Sequence, residues 1–431
     1  MIHIVRPGDT VASIAAEYGV SASRIVFDNQ IRNAAGLVVG QALLILIPEI
    51  TYQVQVGDTL QQIAYQYGTT VLDLVRNNAF LLDSASLYAG ETLVIRYRRE
   101  VTGPGYESAK TLGGYLYPFA DPYIIQQAML YLTDMYLFSY GFTTGGQLVI
   151  PQQQGNWIAM AQSFGVSPVL VLTPLTPEGT FNSNLVTMLV NDAQLQQTLI
   201  DNLLMEMEQE GYEAIDVDFE FIQPADREGY VEFIRRLTTQ MNAQGYHVSV
   251  ALAPKTSDDQ PGVLYAGVDY RALGEIANSV LVMAYEWGYT YGPPMAVAPL
   301  DQVRRVVDYA VSRIDPAKID LGIPNYGYDW PLPYERGVTR ARTLGNVEAV
   351  ELASATGSQI RFDPVAQSPY FRYEREGVEH VVWFEDVRSM TARFRLIAEY
   401  GLRGAGYWNL MRPFRANWLL WNHTFPTVRE P

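Results

Sequence analysis

The sequence predicts an α/β protein: a (β/α)8 barrel with a small α+β insertion, preceded by two small βααβ modules. Three observations carry this expectation. The first hundred residues contain one pattern twice, and the remainder alternates short apolar β-type runs with amphipathic helix-type runs. One of those runs, Glu213-Ala214-Ile215-Asp216-Val217-Asp218-Phe219-Glu220, sets three carboxylates in alternation with three apolar side chains.

Length and composition bound the answer first. A chain of 431 residues exceeds the usual single-domain size. It is 48% apolar and 18% charged, a globular composition. A net charge of -16 repels nucleic-acid phosphates and anionic membrane surfaces, so neither is expected as a partner. A neutral partner such as a sugar is compatible with it. The absence of cysteine excludes disulfides and thiolate metal sites. The four histidines (His3, His247, His380, His423) include no two at ligand spacing, so no metal and no cofactor are expected. The start, Met1-Ile2-His3-Ile4-Val5-Arg6-Pro7, shows no secretory signal pattern. The run Ala42–Ile47 is too short to span a bilayer.

The front repeats are read from matched residues. Val5-Arg6-Pro7-Gly8-Asp9-Thr10 recurs as Val54-Gln55-Val56-Gly57-Asp58-Thr59, and Tyr18-Gly19 recurs as Tyr67-Gly68. Asn29 matches Asn78, and Gly40-Gln41-Ala42-Leu43 matches Gly90-Glu91-Thr92-Leu93. Each unit reads strand, helix, helix, strand, with Gly-Asp-Thr as turn and helix cap and Gly19 or Gly68 as helix stop. The expected units are 1–48 and 50–97, followed by a linker at 98–111. This pattern resembles the LysM module, which binds glycans containing N-acetylglucosamine. The resemblance implies a sugar groove between Gly8–Thr10 and Asn29–Ala34, and again between Gly57–Thr59 and Asn78–Leu82. For Asp9 and Asp58 themselves, helix capping is the favoured reading.

Residues 112–431 form the expected barrel. Strand candidates are Gly114–Tyr117, Asp134–Tyr140, Pro168–Thr173, Ala214–Phe221, His247–Leu252, Ser279–Ala284, Ile319–Ile323 and Gly404–Trp408. Amphipathic helices are expected at Asp192–Glu210, Asp226–Asn242, Leu300–Ile314 and Asp386–Glu399. The clearest of these has Leu195, Leu199, Leu203 and Met207 on one face and Gly211 at its end. Strands separated by helices pair in parallel and close into a TIM barrel. Residues 331–385 are longer than a connection needs and are expected to form the insertion.

In a barrel strand, period-2 alternation sends Ile215, Val217 and Phe219 to the helices and Asp216, Asp218 and Glu220 inward. Neighbouring buried carboxylates cannot all ionise, so one is kept as a proton donor. Glu220, the last of the three, falls at the C-terminal mouth, where barrel enzymes keep their chemistry.

Asp216-Val217-Asp218-Phe219-Glu220 matches the D-x-D-x-E core of the signature of glycoside hydrolase family 18, on the fourth strand candidate. Met283-Ala284-Tyr285-Glu286 and Gly406-Tyr407-Trp408 match that family's sixth and eighth strands. The chain departs from the family at Glu213-Ala214, in place of Asp-Gly, and at Leu170–Leu175, where Ser-x-Gly-Gly is absent. The resemblance implies that Glu220 is the general acid and then the base. Asp218 would orient the substrate's acetamide group, and Asp216 would share a proton with Asp218. Tyr285 would bond the acetamide oxygen, Glu286 would hold sugar hydroxyls and Trp408 would floor the ring. Trp287 and Tyr115 are further candidates for the glycan cleft. Core packing is the alternative for Tyr285 and Trp408 and the first reading for Trp287 and Tyr115, and a helix cap or ion pair is the alternative for Glu286.

Two LysM repeats ahead of such a barrel resemble the bacterial spore cortical-fragment lytic enzymes. What this implies is a retaining, substrate-assisted N-acetylglucosaminidase acting on peptidoglycan, associated with a spore envelope or cell wall and monomeric. A non-catalytic lectin-like protein and a chitinase are the alternatives.

Overall fold

The computed structural model describes residues 1–33, 36–82, 87–99, 101 and 103–426. Ala34 of the expected first groove, Glu100 and Thr102 of the linker, and residues 427–431 of the expected barrel segment lie outside the described residues.

Eight parallel strands close into a barrel. They are β1 Thr111–Leu116, β2 Asp134–Phe142, β3 Ser167–Leu172, β4 Ala214–Val217, β5 His247–Leu252, β6 Ser279–Val282, β7 Ile319–Pro324 and β8 Gly404–Trp408. Each pairs with its sequence neighbours, and β8 pairs with β1 to complete the ring. Helices cover the outside: α1 Pro122–Met129, α2 Gln154–Ser163, α3 Ala193–Glu210, α4 Arg227–Ala243, α5 Tyr270–Ile276, α6 Leu300–Val311, α7 Val387–Tyr400 and α8 Arg415–Thr424.

The alternation along each strand separates two cores. Ile215, Val217 and Phe219 join the layer between strands and helices. There the Phe219 ring stacks on Phe233 of α4, with centroids 6.1 Å apart. Tyr115, Phe138, Val171, Ala251, Leu281 and Met283 fill the barrel interior. The acidic strand is shorter than expected, because its ladder ends at Val217. Only the Asp218 amide, donating to the Leu172 carbonyl at 2.9 Å, continues the pairing. Asp218 and Glu220 therefore stand on chain that has just left the sheet.

Helix ends follow local chemistry. The Asp192 side chain accepts from the Gln194 and Leu195 amides, and Gly211 closes α3 at φ 85°. Replacing Asp192 by Ala leaves those amides unpaired, and an equilibrium urea titration should show a loss of about 1 kcal/mol.

The insertion follows β7. It is a five-stranded antiparallel sheet of Gly327–Pro331, Arg342–Leu344, Arg361–Asp363, Ser368–Arg375 and Val378–Trp383, with a helix at Asn346–Ala355. It begins before the expected residue 331, because Tyr328 and Trp330 already pair with Trp383 and Val381.

Each front module has the strand–helix–helix–strand order read from the repeats. Module 1 contains Ile2–Ile4, Val11–Tyr18, Ala22–Asp28 and Ala42–Leu44. Module 2 contains Pro48–Gln53, Leu60–Tyr67, Val71–Asn77 and Thr92–Tyr97, with a 3-10 turn at Ala79–Leu82. Its first strand starts at Pro48, inside the expected first unit, because Pro48 pairs with Tyr97. Thr10 and Thr59 are the helix caps. Asp9 and Asp58 instead close the preceding turns, each accepting from a backbone amide (Arg6 or Gln55) at 2.7 Å. Asn29 and Asn78 tie the second helix to the last strand, with their carboxamides bonded to the backbones of Leu44 and Val94.

Candidate active site

At the C-terminal mouth of the barrel lies a cavity of about 450 Å³. That size suits a small-molecule group. Asp218, Glu220, Tyr285, Glu286, Trp408 and Tyr115 all line it. They come from four strand ends, so only barrel closure brings them together.

Asp216, two residues before Asp218 and on β4 itself, is fully buried. Ser249 of β5 donates to its Oδ1 at 2.5 Å, and Tyr115 of β1 donates to its Oδ2 at 2.8 Å. Burial pushes its carboxyl up to about 6, against the lowering effect of these two donors. Ser249 and Tyr115 together place one donor on each Asp216 oxygen, and no direct hydrogen bond between Asp216 and Asp218 is present among the described residues.

Asp218 is held well above the ordinary carboxylate range, first by burial and then by the charges of Glu220 and Asp216. Its Oδ1 is buried with no hydrogen-bond partner among the described residues. An unpaired buried acceptor at a cavity wall costs about 1–3 kcal/mol until a donor arrives. Glu220 is raised by burial and then by Glu286. Glu286 is in turn raised by burial, while Tyr326 and Tyr328 donate to its Oε1, the latter at 3.0 Å. These tyrosines, and not a cap or an ion pair, hold Glu286.

Tyr285 is half-buried, and its hydroxyl makes no hydrogen bond among the described residues. Burial and the surrounding carboxylates raise it well above 10, so it remains a donor. Trp408 is half-buried and steadied by Phe138, whose ring meets it edge-on at 4.9 Å, and by Tyr115 and Tyr117. It contributes to the interior core and also lines the cavity. Tyr115 does both too, but its hydroxyl is committed to Asp216.

Trp287 does not line the cavity. Glu286 has a left-handed backbone, φ 69°, which turns the chain so that Trp287 donates its amide to Val297 and packs its ring on the outer core. Phe221, which follows Glu220, is left-handed as well, with φ 56°. Such residues cost roughly 1–3 kcal/mol each and persist where the surroundings fix them. Sequence reasoning did not single out Ser249, Tyr326 or Tyr328. The last two stand two apart in Asn325-Tyr326-Gly327-Tyr328, the same period-2 signal that exposed the acids.

The electrostatics are one-sided. Among the described residues lining the cavity there are three carboxylates and no Lys, Arg or His. Such a well retains a proton on a carboxyl and favours positive charge developing within it. Nor do any described residues form a His/Asp/Glu group able to hold a metal ion.

The sequence pattern of glycosyl hydrolases family 18 matches residues 179–412, more than half of the chain. The chain belongs to glycosyl hydrolase family 18. The LysM pattern matches residues 3–46 and 52–96 of this family 18 chain. It is 37% identical to a cortical fragment-lytic enzyme of Bacillus subtilis, over 100% of this chain and 99% of that one. It is 36% identical to the Bacillus anthracis protein of that name, over 100% of both. Its fold matches the crystal structure of the Bacillus megaterium spore cortex-lytic enzyme SleL, with a TM-score of 0.84 and 35% identity, covering 100% of this chain and 99% of that one. The matched family 18 segment starts after β3, so β1 to β3 are recognised as barrel strands by their pairing.

The family 18 chain is a glycosidase, and its acid group has a readable pH signature. Cleavage needs the protonated form of the acid, so activity falls as pH rises through that group's pKa. Replacing Glu286 by Gln removes the charge that most raises Glu220 after burial. With Glu220 as the proton donor, the alkaline limb of kcat/KM should move to lower pH in that variant, and an unmoved limb would remove Glu220 from that role.

Proposed function

We propose that the chain is a retaining N-acetylglucosaminidase of spore-cortex-type peptidoglycan, held on the wall by LysM binding. The carrying observation is the acid-lined well without a cation. Peptidoglycan alternates N-acetylglucosamine with a muramyl sugar whose O3 bears a lactyl group, amide-linked to peptide or closed to a lactam. A well of three carboxylates accepts hydrogen bonds from the free hydroxyls of N-acetylglucosamine, one of which the muramyl sugar lacks. The cleaved bond is then the one on the reducing side of N-acetylglucosamine. The relatives' names supply the polymer.

In this reading Glu220 donates its proton to the glycosidic oxygen as the C1–O bond breaks. The acetamide carbonyl oxygen of the same sugar attacks C1, giving an oxazolinium with its positive charge inside the acidic well. This is the substrate-assisted variant of retaining hydrolysis. The free Asp218 Oδ1 accepts the acetamide N–H and stabilises that charge. The unpaired Tyr285 hydroxyl donates to the acetamide oxygen and orients it. Trp408 carries the apolar face of the ring. Water then opens the oxazolinium, with the Glu220 carboxylate as base.

The test is product analysis. Purified cortex and vegetative peptidoglycan are digested with wild-type protein, and the new reducing ends are borohydride-labelled and identified by mass spectrometry. Reducing-end N-acetylglucosamine is expected. Reducing-end muramic acid would overturn the assignment.

A further inference from the structure

The two modules share a fold but not a situation. In module 1 the turn Val38–Gln41 precedes the last strand, with the Gln41 amide on the Val38 carbonyl and the Gly40 amide on the Val5 carbonyl. In module 2 the turn Tyr88–Glu91 has the same two bonds, with Glu91 on Tyr88 and Gly90 on Val54. Val38 and Tyr88 are therefore equivalent positions.

Val38 is 5% exposed and belongs to the core of the insertion, with Ala349, Ala353, Ile360 and Phe371. Around it, Ile360 donates its amide to the Val39 carbonyl at 3.0 Å, and Ser354 donates to Gly36. Arg388 donates to Gly40, and Arg32 pairs with Glu351 at 2.9 Å. A Cβ on Gly40 would stand 1.9 Å from the Ile360 carbonyl oxygen, so the insertion already fills this space. Tyr88, by contrast, is 64% exposed, and Val56, two residues past the Val54 that pairs with Gly90, is 92% exposed. Module 2 meets the barrel through its second helix instead. Arg76 donates to the Leu130 carbonyl and accepts from Tyr131 through its own.

We propose that the modules divide the work. Module 1 is a clamp whose turn completes the core of the insertion, and the Val56–Tyr88 face of module 2 alone takes the glycan strand. This rests on the glycan-anchoring reading above. The occupant follows from chemistry: Gln55-Val56-Gly57 and Tyr88-Ala89-Gly90 carry no charge in a chain of net charge -16, and an exposed aromatic and an exposed aliphatic on two segments joined by the Val54–Gly90 bond suit the face of a neutral N-acetylated sugar. The clamp has a reason as well. The sheet that it supports carries Tyr328, which holds Glu286.

The experiment is co-sedimentation with purified peptidoglycan sacculi, using full-length protein in the Glu220→Gln background so that the wall stays intact. Val56→Ser with Tyr88→Ala should weaken binding by about tenfold, the loss expected when a contact of about 1.4 kcal/mol is removed. Val38→Ser should bind like its parent while melting at lower temperature. Arg32→Ala, on the exposed rim of the clamp, folds independently of the Val38 result and should also bind like its parent. If the module 2 pair binds normally, or a folded module 1 variant releases the wall, the division of work is wrong. If the parent itself does not sediment, the anchoring reading has failed, and this inference with it.

Discussion

Glu220→Gln is expected to lower cleavage of peptidoglycan by about 10³-fold, within the usual range for removing a positioned general acid. The amide keeps the shape of the side chain but carries no transferable proton. A second substrate separates this from a folding defect. With an aryl glycoside of N-acetylglucosamine whose phenol leaves without protonation, formation of the oxazolinium needs little help from an acid. The variant should therefore lose much less on that substrate in a pre-steady-state burst. Equal losses on both substrates would remove Glu220 from the role of acid.

Asp218→Asn is expected to cost about 10²-fold in kcat, the scale of one misassigned group at a developing charge. Its Oδ1 is the buried acceptor left without a partner, and the amide presents a neutral group where a cation forms. Azide distinguishes the two ways a second carboxylate can serve. Were Asp218 the nucleophile, azide would enter the space opened by the truncation Asp218→Ala and rescue that variant as a glycosyl azide of inverted configuration. With the acetamide as nucleophile, azide should give no rescue. Nuclear magnetic resonance of the anomeric proton reads either product.

The parts of this molecule that were legible in the sequence are those written in short periods. The alternating acids and apolar residues of β4 announced a strand with two differently buried faces. Barrel closure then placed Asp218 and Glu220 beside Tyr285 and Trp408. The repeat in the first hundred residues was legible for the same reason. What escaped depends on tertiary detail. Trp287 was a candidate for the cleft with core packing ranked ahead of it, and the left-handed Glu286 turns it to the core. Asp9 and Asp58 were read with the helix caps, whereas each accepts from the turn amide three residues before it, Arg6 or Gln55. Ser249 and Tyr326 act on carboxylates far from them in sequence, across strands that meet only in the folded ring.

The burial of Val38 in a core built by residues more than three hundred positions later bears on how this protein can be cut and recombined. Domain shuffling treats binding modules as beads that detach at their linkers. Here a truncation at residue 48 would open a hole in the sheet beside the catalytic barrel, and a chimera carrying a foreign first bead would have to refill it. Only the second bead is interchangeable with respect to that sheet, so libraries that vary wall affinity belong there.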